Sequence, residues 1–208
     1  MGDREDESSG KKRKGGWDFS RRSFLKGAGL GALGAISVDN SSAAVSSNVL
    51  GPGPVALNLK VNNKMHALQV EPMTTLAEAL RNHMGLTGTK VSCDRGSCSA
   101  CTVWLDGTPV CSCMTLAIDV AQRAVTTIEG LANGEHLHPC QQAFIDKDAM
   151  MCGFCTPGML MSCAALLARN SAPTLEDVQD ATAGNLCRCG TYPKVFEATI
   201  AASKMQES

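Results

Sequence analysis

The chain has 208 residues, with 19 Lys and Arg against 20 Asp and Glu and a formal net charge of −1, a length that holds one or two small domains. Residues 1–26 carry eight Lys and Arg and five Asp and Glu, which leaves eleven and fifteen for the rest. A mildly acidic body lacks the basic face that nucleic-acid binding requires. Only eight residues are aromatic, so the cores must be packed from Leu, Val, Ala and Met, and small cores of that kind commonly need a disulfide or metal staple.

The basic run Lys11-Lys12-Arg13-Lys14 belongs to a leader. Ser20-Arg21-Arg22-Ser23-Phe24-Leu25-Lys26 is followed by an apolar stretch rich in Gly and Ala, Gly27 to Ile36, and then by Ser41-Ser42-Ala43-Ala44. The apolar stretch is far shorter than the about 20 residues that cross a bilayer. Charged, apolar and small-residue segments in that order make a signal-peptide layout, and the paired arginines resemble the twin-arginine type. That route carries proteins already folded, so the expectation is a periplasmic protein with no stable membrane span. Residues 1–54 are read as signal peptide and linker, the linker being the Ser-, Asn-, Gly- and Pro-rich residues 37–54.

In "VALNLKVNNKMHALQV" two apolar-alternating runs flank Asn62-Asn63, a hairpin signal. Thr74 or Thr75 caps a predicted helix through "TLAEALRNHM", with Leu76, Ala79, Leu80 and Met84 on one face. "CTVWLDGTPV" predicts a strand turning at Asp106-Gly107, and "VTTIEGL" a last short strand. Residues 55–129 thus form an α+β unit. From Gly130 the pattern turns helical, and residues 130–208 form a second, all-α unit of four segments. "HPCQQAFIDKDAM" has Pro139 near its first turn. "TPGMLMSCAALLARN" is an apolar helix capped by Thr156 and closed by Asn170. "TLEDVQDATAG" opens on a Thr174–Asp177 pair resembling a capping box, and "YPKVFEATIAASK" is the last segment.

Eleven cysteines cannot all pair in disulfides within one chain, although exported cysteines usually oxidise. Spacing separates the readings. Cys93-x4-Cys98-x2-Cys101 with a distant fourth cysteine is the plant-type ferredoxin pattern. Gly96, Ser97, Ser99 and Ala100 keep that loop thin, and their N–H groups can donate to sulfur. Cys113 is the fourth candidate and Cys111, two positions earlier, its competitor; both fit one side of a strand. The second set is Cys152-x2-Cys155 and, with thirty-one residues between, Cys187-x-Cys189, with Gly184 and Gly190 freeing the backbone on either side. Arg188 either offsets cluster charge or faces solvent. Cys111, Cys140 and Cys163 read as buried inert thiols, Met159 and Met161 as core, and His136 and His138 as cap or surface residues. Structural zinc is the rival for both sets, but the x4–x2 triplet favours iron–sulfur.

The stretches "VNNKMHALQVEPMTTLAEALRNHMGLTGTKVSCDRGSCSACTVWLDGTPVCSC" and "HPCQQAFIDKDAMMCGFCTPGMLM…EDVQDATAGNLCRCGTY" resemble the small iron–sulfur subunit of molybdenum hydroxylases, such as xanthine dehydrogenase, aldehyde oxidoreductase and isoquinoline oxidoreductase. The likeness runs from about Leu57 to the C-terminus. It implies an N-terminal β-grasp, plant-type ferredoxin-like domain and a four-helix domain, each with a [2Fe–2S] cluster. By that likeness Cys93, Cys98, Cys101 and Cys113 hold the first, which decides for Cys113 over Cys111. Cys152, Cys155, Cys187 and Cys189 hold the second, close to the molybdopterin of a separate large subunit. Three features depart from the family. Met151 stands where a pterin-contacting Gln is common, Cys189-Gly190-Thr191 replaces Cys-Thr-Gly, and Ser92 and Ser99 replace glycines of the first loop.

The expected function is electron transfer within an exported molybdenum hydroxylase. Electrons would pass from molybdopterin on the partner through the two clusters to an outside acceptor, a flavin subunit or a cytochrome. No acid–base or nucleophilic constellation is present, so no catalytic residue is named. The alternatives are a free-standing two-cluster ferredoxin and a structural zinc or disulfide module.

Overall fold

In the computed structural model, residues 51–206 are described, Ala121 excepted; the proposed leader, with Arg21 and Arg22, lies outside them. Strands β1 (Val55–Val61) and β2 (Lys64–Val70) pair antiparallel from Val55 opposite Val70 to Val61 opposite Lys64. Asn62 and Asn63 turn the hairpin at φ 48° and 64°, the left-handed pair that a two-residue type I′ turn demands and Asn tolerates.

Thr75, not Thr74, caps the first helix. Its hydroxyl accepts from Glu78 N–H at 3.2 Å, and its own N–H donates to Glu78 Oε2 at 2.9 Å, a full capping box. This helix, α1 (Leu76–Glu78), does not stay α-helical to Met84 as its periodicity suggests. It widens into a π-type turn over Ala79–His83, where Met84 N–H reaches back to Ala79 O at 3.2 Å. The chain beyond folds over Arg81, whose Nη1 donates to the Thr87 and Thr89 carbonyls.

Strands β3 (Thr102–Leu105) and β4 (Thr108–Cys111) form the second hairpin through Asp106 and Gly107, at φ 50° and 79°. Asp106 accepts from Arg123 Nε at 2.8 Å and Ala124 N–H at 2.9 Å, which ties the turn to β5 (Ala124–Thr126). The sheet order is β2-β1-β5-β3-β4, with β5 parallel to β1 and antiparallel to β3. This is the expected β-grasp arrangement, with a shifted last strand. It starts at Ala124 and stops at Thr126, while Ile128–Gly130 coil as a 3₁₀ turn. The Asn62 side chain is the reason, since it takes Thr127 N–H at 2.9 Å, the donor a longer strand would use, and donates to Thr127 Oγ1 at 2.9 Å. A short helix the sequence did not signal, α2 (Ala117–Val120), buries Ala117 and Val120. They join Leu59, Val61, Leu76, Leu80 and Val125 in one core.

The four predicted helices are α3 (Pro139–Asp146), α4 (Thr156–Arg169), α5 (Leu175–Thr182) and α6 (Tyr192–Gln206). His138 caps α3 by accepting from Cys140 N–H at 3.2 Å. Asp177 completes the α5 capping box despite its short side chain, accepting from Thr174 N–H at 2.7 Å. Thr156 is not a cap. It is the first helical residue of α4, and Cys155 stands at the cap position with no side-chain capping bond. Pro157 follows, and with no N–H of its own it leaves one donor fewer to satisfy. Phe144, Met159, Cys163, Val195, Ala198 and Ala202 centre the helical core.

The described residues belong to one compact unit. Helix α4 lies on the β3 side: Trp104 Nε1 donates to Met161 O at 2.8 Å, and Gly158 approaches the first cysteine loop so closely that a Cβ there would sit 2.3 Å from Ser99 O. Gly158→Ala is therefore expected to cost about 1–3 kcal/mol of overpacking, more than the about 1 kcal/mol that Ala gains over Gly in a helix. Trp104→Phe should cost about 1 kcal/mol for its lost hydrogen bond. Scanning calorimetry of the purified chain checks both, and an unchanged Tm for Gly158→Ala would refute the close-packed junction.

Candidate functional site

The loop from Ser92 to Cys101 leads into β3 by three left-handed residues, Asp94, Gly96 and Ser99, at φ 53°, 70° and 51°. Such turns point successive N–H groups inward. Gly96 N–H donates to Cys113 Sγ at 3.3 Å, and Ser97 N–H donates to Cys93 Sγ at 3.2 Å. Cys98, Cys101 and Cys113 are buried and Cys93 is half-buried. The N–H of Arg95, then the Cys98 thiol and further backbone N–H groups, bring the Cys93 thiol down to about 7, while burial pushes Cys101 up to about 11 beside Cys113.

Cys113 does not share a strand with Cys111, as simple alternation had it. Strand β4 ends at Cys111, and Ser112–Met114 form a 3₁₀ turn that buries Cys113. The two thiols meet opposite partners. Cys113 receives an N–H, whereas Cys111 Sγ faces the Gly96 carbonyl at 3.9 Å and the Ser99 hydroxyl at 3.6 Å. A carbonyl oxygen cannot stabilise a thiolate. Nor is Cys111 a core thiol as expected, being half-buried.

In the second set Cys155 stands at the N-cap of α4, and Gly153, at φ 81°, turns the chain between it and Cys152. Cys187 and Cys189 lie between α5 and α6, and Gly190 leaves them at φ 78°. Gly184 has a different role from the backbone freedom expected of it: a Cβ there would come 3.3 Å from Ser99 Oγ. Cys187 N–H donates to Tyr192 Oη at 2.8 Å, Tyr192 Oη donates to Asn185 O at 3.1 Å, and Thr191 Oγ1 lies 3.2 Å from Cys187 Sγ. Burial opposes ionisation of Cys187, yet the Thr191 hydroxyl and N–H outweigh it and bring the thiol to about 7. Burial raises its neighbour Cys155 to about 12. Cys152 and Cys189 are exposed, as is Arg188.

Side-chain contacts bring Cys93 to Cys98, Cys101 to Cys113 and also to Cys111, Cys155 to Cys187, and Cys152 to Cys189. Among the described residues no three Cys, His, Asp or Glu side chains close around a single ion position. A tetrahedral zinc needs four ligands on one ion, whereas a [2Fe–2S] cluster takes four thiolates over two irons. Paired thiols with N–H donors on sulfur fit the latter. All eleven cysteines lie among the described residues and none is in a disulfide. Cys140 and Cys163 are wholly buried in the helical core, and burial raises both. Met159 and Met161 are core, and His136 is exposed.

The two loops touch. Leu186 N–H donates to Cys98 O at 3.0 Å, and Asn185 Nδ2 donates to Ser99 O at 3.1 Å. A cleft of about 530 Å³ is walled by Cys93 and Cys98 from one set and Cys152, Cys155 and Cys187 from the other. Asn185, Thr191 and Tyr192 were not singled out from the sequence, because no spacing rule marks a polar residue whose partner lies in another loop.

Residues 59–141 match the family described as 2Fe-2S iron-sulfur cluster binding domain, and residues 127–200 the family described as [2Fe-2S] binding domain. The chain is 37% identical over 211 residues to the aldehyde oxidoreductase iron-sulfur-binding subunit PaoA of Escherichia coli (strain K12), covering 93% of this chain and 92% of that protein. It is 45% identical over 148 residues to the nicotine 6-hydroxylase small subunit of Paenarthrobacter nicotinovorans, covering 71% and 89%. Its fold is similar to that in the crystal structure of quinoline 2-oxidoreductase from Pseudomonas putida 86, with a TM-score of 0.71, 40% identity, and coverage of 74% of this chain and 96% of that one.

The contrast between the two neighbouring thiols yields a test. Cys113→Ser should lower bound iron from about four to about two per chain, whereas Cys111→Ser should leave it at about four, two irons being held by each four-thiolate set. Colorimetric iron analysis of the two variants decides, and equal iron loss in both would refute the distinction.

Proposed function

The chain belongs to the small iron–sulfur subunits of molybdenum hydroxylases, and from that membership we propose that it carries electrons away from a molybdopterin centre on a large partner subunit through two [2Fe–2S] clusters. Cys152, Cys155, Cys187 and Cys189 hold the cluster nearer the partner, and Cys93, Cys98, Cys101 and Cys113 hold the one from which electrons leave to a flavin subunit or cytochrome. Bound there, such clusters supply one-electron transfer at potentials set by hydrogen bonds and burial.

The chain's own residues hold the sulfurs and fix their surroundings. Gly96 and Ser97 give N–H donors to the first set, and Thr191 sets its hydroxyl on Cys187 of the second. Both lower the cost of negative charge on sulfur. The observation that carries the proposal is the direct hydrogen bond between the loops, Leu186 N–H to Cys98 O at 3.0 Å, beside a cleft that both cysteine sets line. A simple carrier has no need of a second cysteine set stitched to the first.

Exposure supports the order. Cys152 and Cys189 are exposed, and around them Met151 is 71%, Leu186 56% and Phe154 47% exposed. A rim of large apolar side chains suits a surface covered by a partner. At Met151, where the family commonly has Gln, this chain offers a thioether and no amide to the pterin. We further propose export in the folded state to the periplasm by the twin-arginine route. Among the described residues no helix is long and apolar enough to cross a membrane.

Isolation of the native complex, with iron, molybdenum and partner chains measured together, tests the reading. About four irons per small subunit, two for each four-thiolate set, with a molybdenum-containing partner is the expected result; zinc in place of iron, or a monomer that never meets molybdenum, overturns it. Replacing Arg21 and Arg22 together with Lys should leave an iron-loaded protein in the cytoplasm, read by fractionation and absorbance, and undiminished periplasmic protein would refute the export route.

A further inference from the structure

Asn185 is a buried polar residue that touches three parts of the site. Its Nδ2 donates to Ser99 O in the first cysteine loop at 3.1 Å. Its Oδ1 accepts from Ser162 Oγ at 2.8 Å, and Ser162 lies on α4, the helix that Cys155 opens. Its backbone carbonyl accepts from Tyr192 Oη, which in turn accepts Cys187 N–H. The side chain is 3% exposed and Ser162 is 7% exposed, so neither amide partner is readily replaced by bulk water.

The orientation of the amide follows from its partners. A carbonyl oxygen only accepts, so the NH₂ end must face Ser99 and the oxygen must face Ser162, whose hydroxyl then donates. One planar group therefore ties Ser99, 86 residues earlier in the chain, to Ser162 and fixes the angle between helix α4 and the first loop. The next residue, Leu186, carries the N–H that reaches Cys98 O. An amide held at Asn185 leaves Leu186 little freedom to swing away from Cys98.

We infer that Asn185 is a positioning residue that fixes the spacing of the two cysteine loops, and through it the electronic coupling between the two iron pairs they hold. The inference rests on the two-cluster reading above. An electron crossing between the loops oxidises one iron pair by one and reduces the other by one, with no bond made or broken. Each cluster's surroundings set the driving force, while the electronic coupling depends on separation and on the connecting bonds. Without the Asn185 bridge, the Ser99 carbonyl keeps its bonds from Thr102, and Ser162 can turn to a carbonyl of its own helix. Both loops thus keep their own structure while losing one tie between them, and the Leu186–Cys98 hydrogen bond is left to hold alone.

The test uses the full chain in its native complex and the variants Asn185→Ala and Ser162→Ala. Electron paramagnetic resonance of the fully reduced wild type should show two signals split by their mutual magnetic interaction. In Asn185→Ala the iron content should hold while the splitting diminishes. Hydrogen exchange at the Leu186 amide, followed by mass spectrometry, should accelerate roughly five- to ten-fold, the equivalent of losing one hydrogen bond. Ser162→Ala, a smaller change that removes only the orienting bond, should move both readouts in the same direction by less. It carries the test if Asn185→Ala fails to fold. A wild type with a single signal overturns the two-cluster reading and this inference with it. Two signals with unchanged splitting and unchanged Leu186 exchange in the variants overturn this inference alone.

Discussion

The Ser99 carbonyl is where the β-rich half and the helical half meet. Ser99 has φ of +51°, a left-handed backbone that costs a serine energy and that neighbouring structure must hold in place. That turn aims the carbonyl out of the first cysteine loop. It accepts from Thr102 Oγ1 at 2.7 Å and from Asn185 Nδ2 at 3.1 Å, and Gly158 of α4 packs against it with no room for a Cβ. Gly184 lies against the hydroxyl of the same residue. One residue of the first loop thus sets where α4 and the turn before Cys187 can sit. Both sulfur positions of the second set that lie inside the fold, Cys155 and Cys187, depend on those two elements.

The two cysteine sets sit in different media. The first is largely buried, and its Cys93 and Cys113 face backbone N–H groups, which favour the thiolate against the desolvation that opposes it. The second keeps two thiols at the surface and two half-buried. Burial and N–H donors are the terms that set cluster potentials, so the contrast places the two sets on different footings without any change of ligand type. Cys187 shows the balance at one atom: burial acts against its ionisation, and the Thr191 hydroxyl and N–H reverse the outcome.

Local chemistry made much of the molecule legible from the sequence. Asn62-Asn63 and Asp106-Gly107 demanded left-handed turns and made them, Thr174–Asp177 closed a capping box, and four helical segments became four helices. Each of these depends on residues within a few positions of one another. The thin first cysteine loop was legible for the same reason, since Asp94, Gly96 and Ser99 turn it within a few residues. Thr156 went astray because Pro157 removed the need for a cap that the residue type suggested. The last strand was placed too late because Asn62, sixty-five residues away, claims the Thr127 backbone.

The sequence by itself determined which sulfurs stand close along the chain, where the hairpins turn, and that a sheet-bearing half precedes a helical one. Only the tertiary structure decided that Cys113 meets an N–H while Cys111 meets a carbonyl, that Asn185 spans two loops, and that Cys98 and Leu186 share a hydrogen bond. The physical reason is reach. Turns, caps and ligand spacings are set by bonds between near neighbours, whereas a buried amide finds its partner only after two independently specified surfaces have packed against each other.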